Sequence, residues 1–176
     1  MKRILIVVDM QTDFVDGVLG TPEAVEILDS VAAKIKAYAA DPDGLIFVTY
    51  DTHTEDYMNT SEGKHLPVPH CIKGTSGWQI TEALSGLACH RIIDKPTFGS
   101  RELGERLVLM NNEEKIGQIT LVGLCTDICV ISNAMLAKAF LPETPVSVIA
   151  SACAGVSVES HNRALEAMGV CQIEIK

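Results

Sequence analysis

The stretch QITLVGLCTDICV, residues 118–130, decides the fold class because it joins two different apolar patterns. Residues 118–122 form a short apolar run with β-branched side chains, which favours a strand buried on both faces. Residues 126–140 are mostly apolar over a longer span, which predicts a helix shortly after Gly123. A buried strand followed by a helix is the repeating unit of a parallel sheet covered by helices.

The same alternation of strand and helix patterns extends along the rest of the chain. Further strands are predicted at residues 3–8, 45–50, 91–94, 145–150 and 171–175. One helix is predicted to begin with Thr21 as its cap and Pro22 in its first turn, and others lie at 79–84, 100–110 and 159–168. The sequence therefore predicts an α/β fold with three α/β/α layers, a central, mainly parallel six-stranded sheet, and a single domain over residues 1–176.

Composition excludes several classes of partner. The chain has 23 acidic and 14 basic residues and a formal net charge of −9, which argues against binding to nucleic acids or anionic membranes. No apolar run reaches the ~18 residues of a membrane span. The run at residues 4–8 stops at Asp9 and is too short for the core of a signal peptide. With six cysteines too sparse for a disulfide scaffold, we expect a cytoplasmic protein.

Polar side chains follow the predicted strands at one edge of the sheet. The first strand is followed by Asp9, and the second by Asp51 and His53. The third ends near Lys95, and Cys129 lies in the first turn of the helix after the fourth. Open parallel sheets bind their ligands beyond the carboxyl ends of the strands, so we expect these side chains to share one site.

Cys129 has the setting of a reactive thiol. With Thr126 as the helix cap, Cys129 is the third residue of the helix, where unpaired N–H groups lower the pKa of a thiol. Lys95 is expected to lower that pKa further, and Asp9 to accept the thiol proton. The alternative is that Cys129 is a small buried filler, as many free cysteines are. Cys125 is a weaker candidate because it precedes the cap.

The polar segment 51–79 is long for a loop inside a compact domain, and such loops are usually functional. Its acidic and imidazole side chains suit zinc, iron or manganese rather than calcium. The alternative is that they are ordinary solvated loop residues. The candidate ligands are Asp51, His53, Glu62, His65 and His70.

Taken in order, these motifs resemble those of the isochorismatase-like cysteine hydrolases, and among them the nicotinamidases. The matching motifs are Asp-x-Gln-x-Asp-Phe at 9–14, Asp-x-His at 51–53, His-Cys-Ile-x-Gly-Thr at 70–75, Lys95, and Gly-x-x-Thr-Asp-x-Cys-Val at 123–130. The resemblance covers nearly the whole chain and implies a single isochorismatase-like hydrolase domain.

The resemblance implies a catalytic triad of Asp9, Lys95 and Cys129. It also implies a non-proline cis peptide bond between Leu124 and Cys125, which would direct backbone N–H groups at a developing oxyanion.

For the metal, the resemblance implies a divalent ion, zinc before iron or manganese. Its ligands would be Asp51, His53 and His70, with Glu62 as the third loop ligand and His65 as the fallback.

The substrate pocket departs from the family pattern at one position. Phe14 and Gln11 stand at matching substrate-binding positions, but Pro67 replaces an aromatic residue that usually stacks on the pyridine ring. Trp78 is a candidate to substitute for that ring.

The implied activity is hydrolysis of a small-molecule amide through a thioester on cysteine, with nicotinamide as the first candidate substrate. A related hydrolase acting on another amide, an N-carbamoyl or ureido compound, or isochorismate remains an alternative. A thiol redox protein using both Cys125 and Cys129, and a binding protein without catalysis, are the others. We also expect a homo-oligomer.

Overall fold

A six-stranded sheet forms the centre of the structure, a computed structural model that describes residues 1–176. The strand order is β3-β2-β1-β4-β5-β6, and every neighbouring pair is parallel. The prediction of a mainly parallel six-stranded sheet is confirmed. The strands are β1 (Lys2–Val8), β2 (Gly44–Asp51), β3 (Arg91–Lys95), β4 (Ile116–Leu124), β5 (Val146–Ala154) and β6 (Glu174–Ile175).

Helices connect the strands. They are α1 (Thr12–Val15), α2 (Pro22–Glu26), α3 (Leu28–Ala39), α4 (Ser61–His65), α5 (Arg101–Glu113), α6 (Ile131–Phe140) and α7 (Val158–Val170). Short 3₁₀ turns lie at Tyr57–Asn59 and Glu82–Leu84, and a π-helical turn at Thr126–Val130 leads into α6. None of these helices has the length and apolar character needed to cross a membrane.

Two apolar clusters cover the two faces of the sheet, because side chains alternate between faces along a strand. In β1, Ile4, Ile6 and Val8 belong to one cluster, and Leu5 and Val7 belong to the other. The first cluster includes residues of α5, α6 and α7, whereas the second includes residues of α2 and α3. The predicted three-layer arrangement is therefore confirmed.

Several predicted boundaries of helices and strands differ from those in the structure, because local hydrogen bonds favour another conformation. The Thr21 cap is confirmed, since its Oγ1 accepts a hydrogen bond from the N–H of Ala24 at 3.1 Å, but α2 and α3 are separate helices. The helix predicted at 79–84 is reduced to a 3₁₀ turn. Its first residues instead pair with the chain after β1, where the N–H of Thr81 donates to the carbonyl oxygen of Met10 at 2.9 Å. The last strand is short because Cys171 ends α7.

Gly123 is required by the close approach of β4 to β1. Its φ is +115°, and a Cβ at this position would lie 2.2 Å from the carbonyl oxygen of Val8. We expect Gly123→Ala to lower the free energy of unfolding by about 1–3 kcal/mol, as measured by urea denaturation. Gly169→Ala is the control, because a Cβ at Gly169 in α7 meets nothing within 4 Å. Equal stability of the two variants would contradict the prediction.

Candidate active site and metal-binding cluster

Three side chains predicted to form a triad meet at the carboxyl edge of the sheet. The Nζ atom of Lys95 lies 2.7 Å from Oδ2 of Asp9 and donates to Sγ of Cys129 at 3.3 Å. Lys95 Nζ also lies 3.0 Å from Oδ1 of Asp51. Asp9 and Lys95 are fully buried, and Cys129 is 5% exposed. The strand order explains this meeting, because β3, β2, β1 and β4 are consecutive neighbours.

Asp9 is oriented by the neighbouring strand. Its backbone turns away from β1 at a φ of +48°, and its N–H donates to the carbonyl oxygen of Thr49 at 3.1 Å. The hydroxyl of Thr49 donates to Oδ1 of Asp9 at 2.6 Å. Oδ2 is therefore left to face Lys95. Thr49 could not be singled out from the sequence, because a threonine inside a strand carries no motif.

The segment before Cys129 differs in part from the prediction. The peptide bond between Leu124 and Cys125 is cis, as the family resemblance implied. Thr126 does not cap the helix. Its hydroxyl instead forms a 2.8 Å hydrogen bond with Nδ1 of His161 on α7, and Cys125 occupies the cap position without a side-chain bond. The backbone N–H of Cys125 makes no hydrogen bond within the chain.

Asn133 is another residue that sequence analysis missed. Its side-chain amide donates to the carbonyl oxygens of Cys129, at 2.8 Å, and Phe98, at 3.0 Å, and accepts from the N–H of Ser100 at 2.8 Å. The only available signal was a polar residue within an apolar helix, one turn after Cys129.

The pKa of Cys129 shifts in the direction opposite to the prediction. Burial and the negative charge of Asp9 raise it well above its ordinary value, and the charge of Lys95 only partly offsets them. Burial also raises the pKa of Asp9 and raises the pKa of Cys125 to about 12. The raised pKa favours the thiol form of Cys129, and burial likewise favours proton uptake by Asp9. Raised pKa values in both cysteines count against the redox alternative, since redox thiols have lowered values.

The four residues predicted as metal ligands form one cluster. One ligand atom from each of Asp51, His53, Glu62 and His70 lies within 4.8 Å of the others. Nε2 of His53 is 2.9 Å from Oδ2 of Asp51 and 3.7 Å from Oε1 of Glu62. Nε2 of His70 lies 3.6 Å and 3.7 Å from the same two atoms. His65 is outside the cluster, and its Nδ1 is 2.8 Å from the carbonyl oxygen of Ser61.

The chemistry of these residues fits a divalent metal ion. Nδ1 of His70 lies 2.8 Å from the carbonyl oxygen of Val68, which can only accept, so Nε2 keeps its lone pair towards the cluster. Nε2 of His53 is buried without a well-formed hydrogen bond. Burial would raise the pKa of Asp51, but the neighbouring imidazoles of His53 and His70 and the charge of Lys95 outweigh it and hold that pKa below its usual range. Two imidazoles and two carboxylates suit zinc, iron or manganese.

One cavity of about 660 Å³ connects the two groups of residues. Cys129 and Cys125 line it together with Asp51, Glu62 and His70. Most of the remaining wall is apolar and includes Leu19, Leu66, Phe98, Ile128 and Val156. A ligand in this cavity can therefore contact the thiol and the metal cluster at the same time.

The residues predicted to bind substrate have different positions. Phe14 lines the cavity, with its ring centroid 5.4 Å from that of His70. Gln11 does not line it, because its amide is bonded to the backbone of Asp51. Trp78 also does not line the cavity. Its Nε1 donates to Oγ1 of Thr52 at 2.9 Å. Leu66 takes part in the wall near the position where the family pattern has an aromatic ring.

Fold and site together define an α/β protein in which a buried thiol, amine and carboxylate meet beside a cluster of metal-ligand type. A family model described as the isochorismatase domain matches residues 3–174. The chain belongs to the isochorismatase family.

Named relatives cover nearly all of the chain. An uncharacterised isochorismatase family protein of Bacillus subtilis is 29% identical over 94% of this chain and 93% of its own length. The nicotinamidase/pyrazinamidase of Mycobacterium tuberculosis is 27% identical over 98% of this chain and 97% of its own. The structure of a pyrazinamidase of Pyrococcus horikoshii in complex with zinc is similar with a TM-score of 0.82, at 27% identity, over 100% of this chain and 99% of the other.

Proposed function

We propose that the chain hydrolyses the carboxamide of a small heteroaromatic compound, with nicotinamide as the first candidate, to the acid and ammonia. The observation that carries the proposal is that Cys129, in contact with Lys95, opens on the same cavity as the metal cluster. Relatives named nicotinamidase match the chain from end to end, which supports the same substrate class.

The positions of the triad suit acyl transfer through a thioester. Asp9 accepts the thiol proton while Sγ of Cys129 attacks the carbonyl carbon of the amide. Asp9 then returns the proton to the amide nitrogen, the C–N bond breaks, and ammonia leaves. A water molecule that gives a proton to Asp9 attacks the thioester, and the acid and the Cys129 thiol are released. Lys95 stays charged, and the free N–H of Cys125 is a donor for the oxyanion.

Zinc is the metal we propose for the cluster, held by Asp51, His53, Glu62 and His70. When bound, it would act as a Lewis acid that coordinates a ring nitrogen of the substrate. The zinc in the Pyrococcus pyrazinamidase structure and the donor set of this chain support that choice. The protein residues themselves would place the amide beside Cys129, with Phe14 packed against one side of the ring.

Ammonia release from nicotinamide tests the proposed activity. The same assay with other aromatic amides and ureido acids, and a separate measurement of isochorismate consumption, distinguish the alternatives, because isochorismate contains no nitrogen and releases no ammonia. Because the cavity is large and its wall, which includes Leu66, is mostly apolar, the panel should also contain amides larger than nicotinamide. Turnover of isochorismate with no amide hydrolysis would contradict the proposal.

Removal of the metal is expected to lower amide hydrolysis on the order of 100-fold, since a misplaced substrate loses that much rate. The measurement compares ammonia release before and after dialysis against a chelator, and again after adding zinc.

His70→Ala should likewise lose metal. His65→Ala is the matched control, because His65, at the end of α4, also lines the cavity but is outside the cluster. Equal metal content in the two variants would refute the assignment of His70.

We also propose a cytoplasmic location and a homo-oligomer. All six cysteines are free thiols, which fits a reducing compartment. Apolar side chains outside the cavity, such as Ile92, 55% exposed, and Leu109, 62% exposed, offer surface for association. Size-exclusion chromatography with light scattering measures the oligomeric state.

A further inference from the structure

Gln11 uses its whole side-chain amide to hold the backbone next to the metal cluster. Its Oε1 accepts a hydrogen bond from the N–H of Asp51 at 2.7 Å. Its Nε2 donates to the carbonyl oxygens of Asp51 and Trp78, each at 2.8 Å. Gln11 is fully buried. One side chain therefore fixes both polar backbone groups of a candidate metal ligand.

Asp13 holds the chain on the other side of the cluster. Its Oδ2 accepts a hydrogen bond from the N–H of Cys71 at 2.8 Å, directly after the candidate ligand His70. Cys71 has a φ of +47°, which non-glycine residues rarely adopt, so this bond helps to fix an unusual turn. Gly77 leaves room for the carboxylate, because a Cβ there would lie 2.2 Å from Oδ1 of Asp13.

Both side chains come from one segment, which is itself fixed in place. The N–H of Thr12 donates to the carbonyl oxygen of Gln79 at 2.9 Å, and the N–H of Asp13 donates to that of Gly77 at 3.0 Å. On the far side, the N–H of His53 donates to the carbonyl oxygen of Cys71 at 3.0 Å. A continuous set of hydrogen bonds thus runs from this segment to the backbone of the segments that carry the ligands.

We propose that Gln11 and Asp13 are positioning residues that set the distance between Asp51 and His70 and so raise the affinity for a divalent metal. This inference rests on the metal site of the proposed function. Hydrogen-bond partners outside the ligand set hold metal ligands in orientation, and their loss typically weakens metal binding by about 10–100-fold. These two residues then contribute to metal binding without touching the substrate.

Titration of the metal-free full-length protein with Zn²⁺, against a chromophoric competing chelator, tests the proposal. We expect Gln11→Met and Asp13→Ala to bind Zn²⁺ about 10–100-fold more weakly than the unchanged protein. Asp13→Asn should restore most of the affinity, because its amide oxygen can still accept from Cys71. The absorption spectrum of bound Co²⁺ should shift in Gln11→Met and Asp13→Ala but not in Asp13→Asn.

Asn133→Leu is the matched control. Asn133 is 1% exposed and makes the same three kinds of bond to backbone as Gln11, but away from the metal cluster. We expect it to lower Tm as Gln11→Met does while Zn²⁺ affinity is unchanged. Unchanged affinity in Gln11→Met and Asp13→Ala, or an equal loss in Asn133→Leu, would overturn the proposal.

Two further outcomes are decisive. If Gln11→Met does not fold, the comparison of Asp13→Ala with Asp13→Asn decides, because Asp13 is only partly buried. If the unchanged protein binds no Zn²⁺, both this proposal and the metal site are overturned. Ammonia release, measured separately, then still decides whether the chain is an amide hydrolase.

Discussion

Cys129→Ala is expected to lower amide hydrolysis by about 10⁴-fold or more, because no other group replaces a lost nucleophile. The sulfur is the only atom of the site that contacts Lys95 and lines the cavity as a nucleophile. Ammonia release at saturating substrate measures the loss. Mass spectrometry of the unchanged protein, quenched during turnover, should find the acyl group on the peptide that contains Cys129.

Cys153→Ala is the control for this prediction. Cys153 is also a buried free thiol, 4% exposed, but it does not line the cavity. We expect it to keep its activity, and both variants to keep their fold by circular dichroism. Full activity in Cys129→Ala would refute the thioester mechanism, and an acyl group found on Cys125 would transfer the role to that residue.

Much of the fold was predictable because buried strands and exposed helix faces leave periodic patterns in the sequence. The strand-end positions of Asp9, Asp51 and Lys95 also predicted the site, since parallel strands end at one edge. The placement of Lys95 within hydrogen-bond distance of both Asp9 and Asp51 depends on a strand order that the sequence does not encode locally. The resemblance supplied the cis bond after Leu124 and the choice of Glu62, which spacing alone left open.

Other features could not be predicted because they depend on contacts between distant segments. Thr126 has the residue type and position of a helix cap, but His161, from a helix 35 residues later, takes its hydroxyl. The pKa of Cys129 was expected to fall because helix N–H groups and Lys95 are local features. Burial depth and the facing carboxylate of Asp9 reverse that direction, and neither is visible in a helix pattern.

Gln11 shows how a motif residue can be assigned to the wrong partner. The motif placed it beside Asp9, so contact with substrate was the simplest expectation. The structure directs its amide to the backbone of Asp51, because the chain turns sharply after β1. Motif spacing therefore predicted the neighbourhood of this side chain but not its contacts.

Lys95→Met is expected to reduce both stability and activity more than any other charge substitution in the chain. Lys95 is fully buried and pairs with the carboxylates of Asp9 and Asp51, at 2.7 Å and 3.0 Å. Its removal leaves two buried acids without their shared cation, which costs about 3–5 kcal/mol of unfolding free energy. Activity should also fall. Loss of the Lys95 charge raises the pKa of Asp9, and a protonated carboxyl group cannot act as the base. Urea denaturation and ammonia release measure the two effects.

Two control variants distinguish the effect of burial on the Lys95 ion pairs from the effect of charge alone. Lys73→Met removes an exposed pair with Asp94 at 2.6 Å, so we expect a loss of only about 0–1 kcal/mol. The double variant Asp9→Asn with Lys95→Met should regain part of the stability lost in Lys95→Met. The Asp9 charge, which the loss of Lys95 leaves unpaired, is then removed as well. It should stay inactive, because a carboxamide in place of the Asp9 carboxylate cannot accept a proton from Cys129. A Lys95→Met protein as stable as Lys73→Met would show that the buried carboxylates do not depend on Lys95, and the charge arrangement argued for the site would then be wrong.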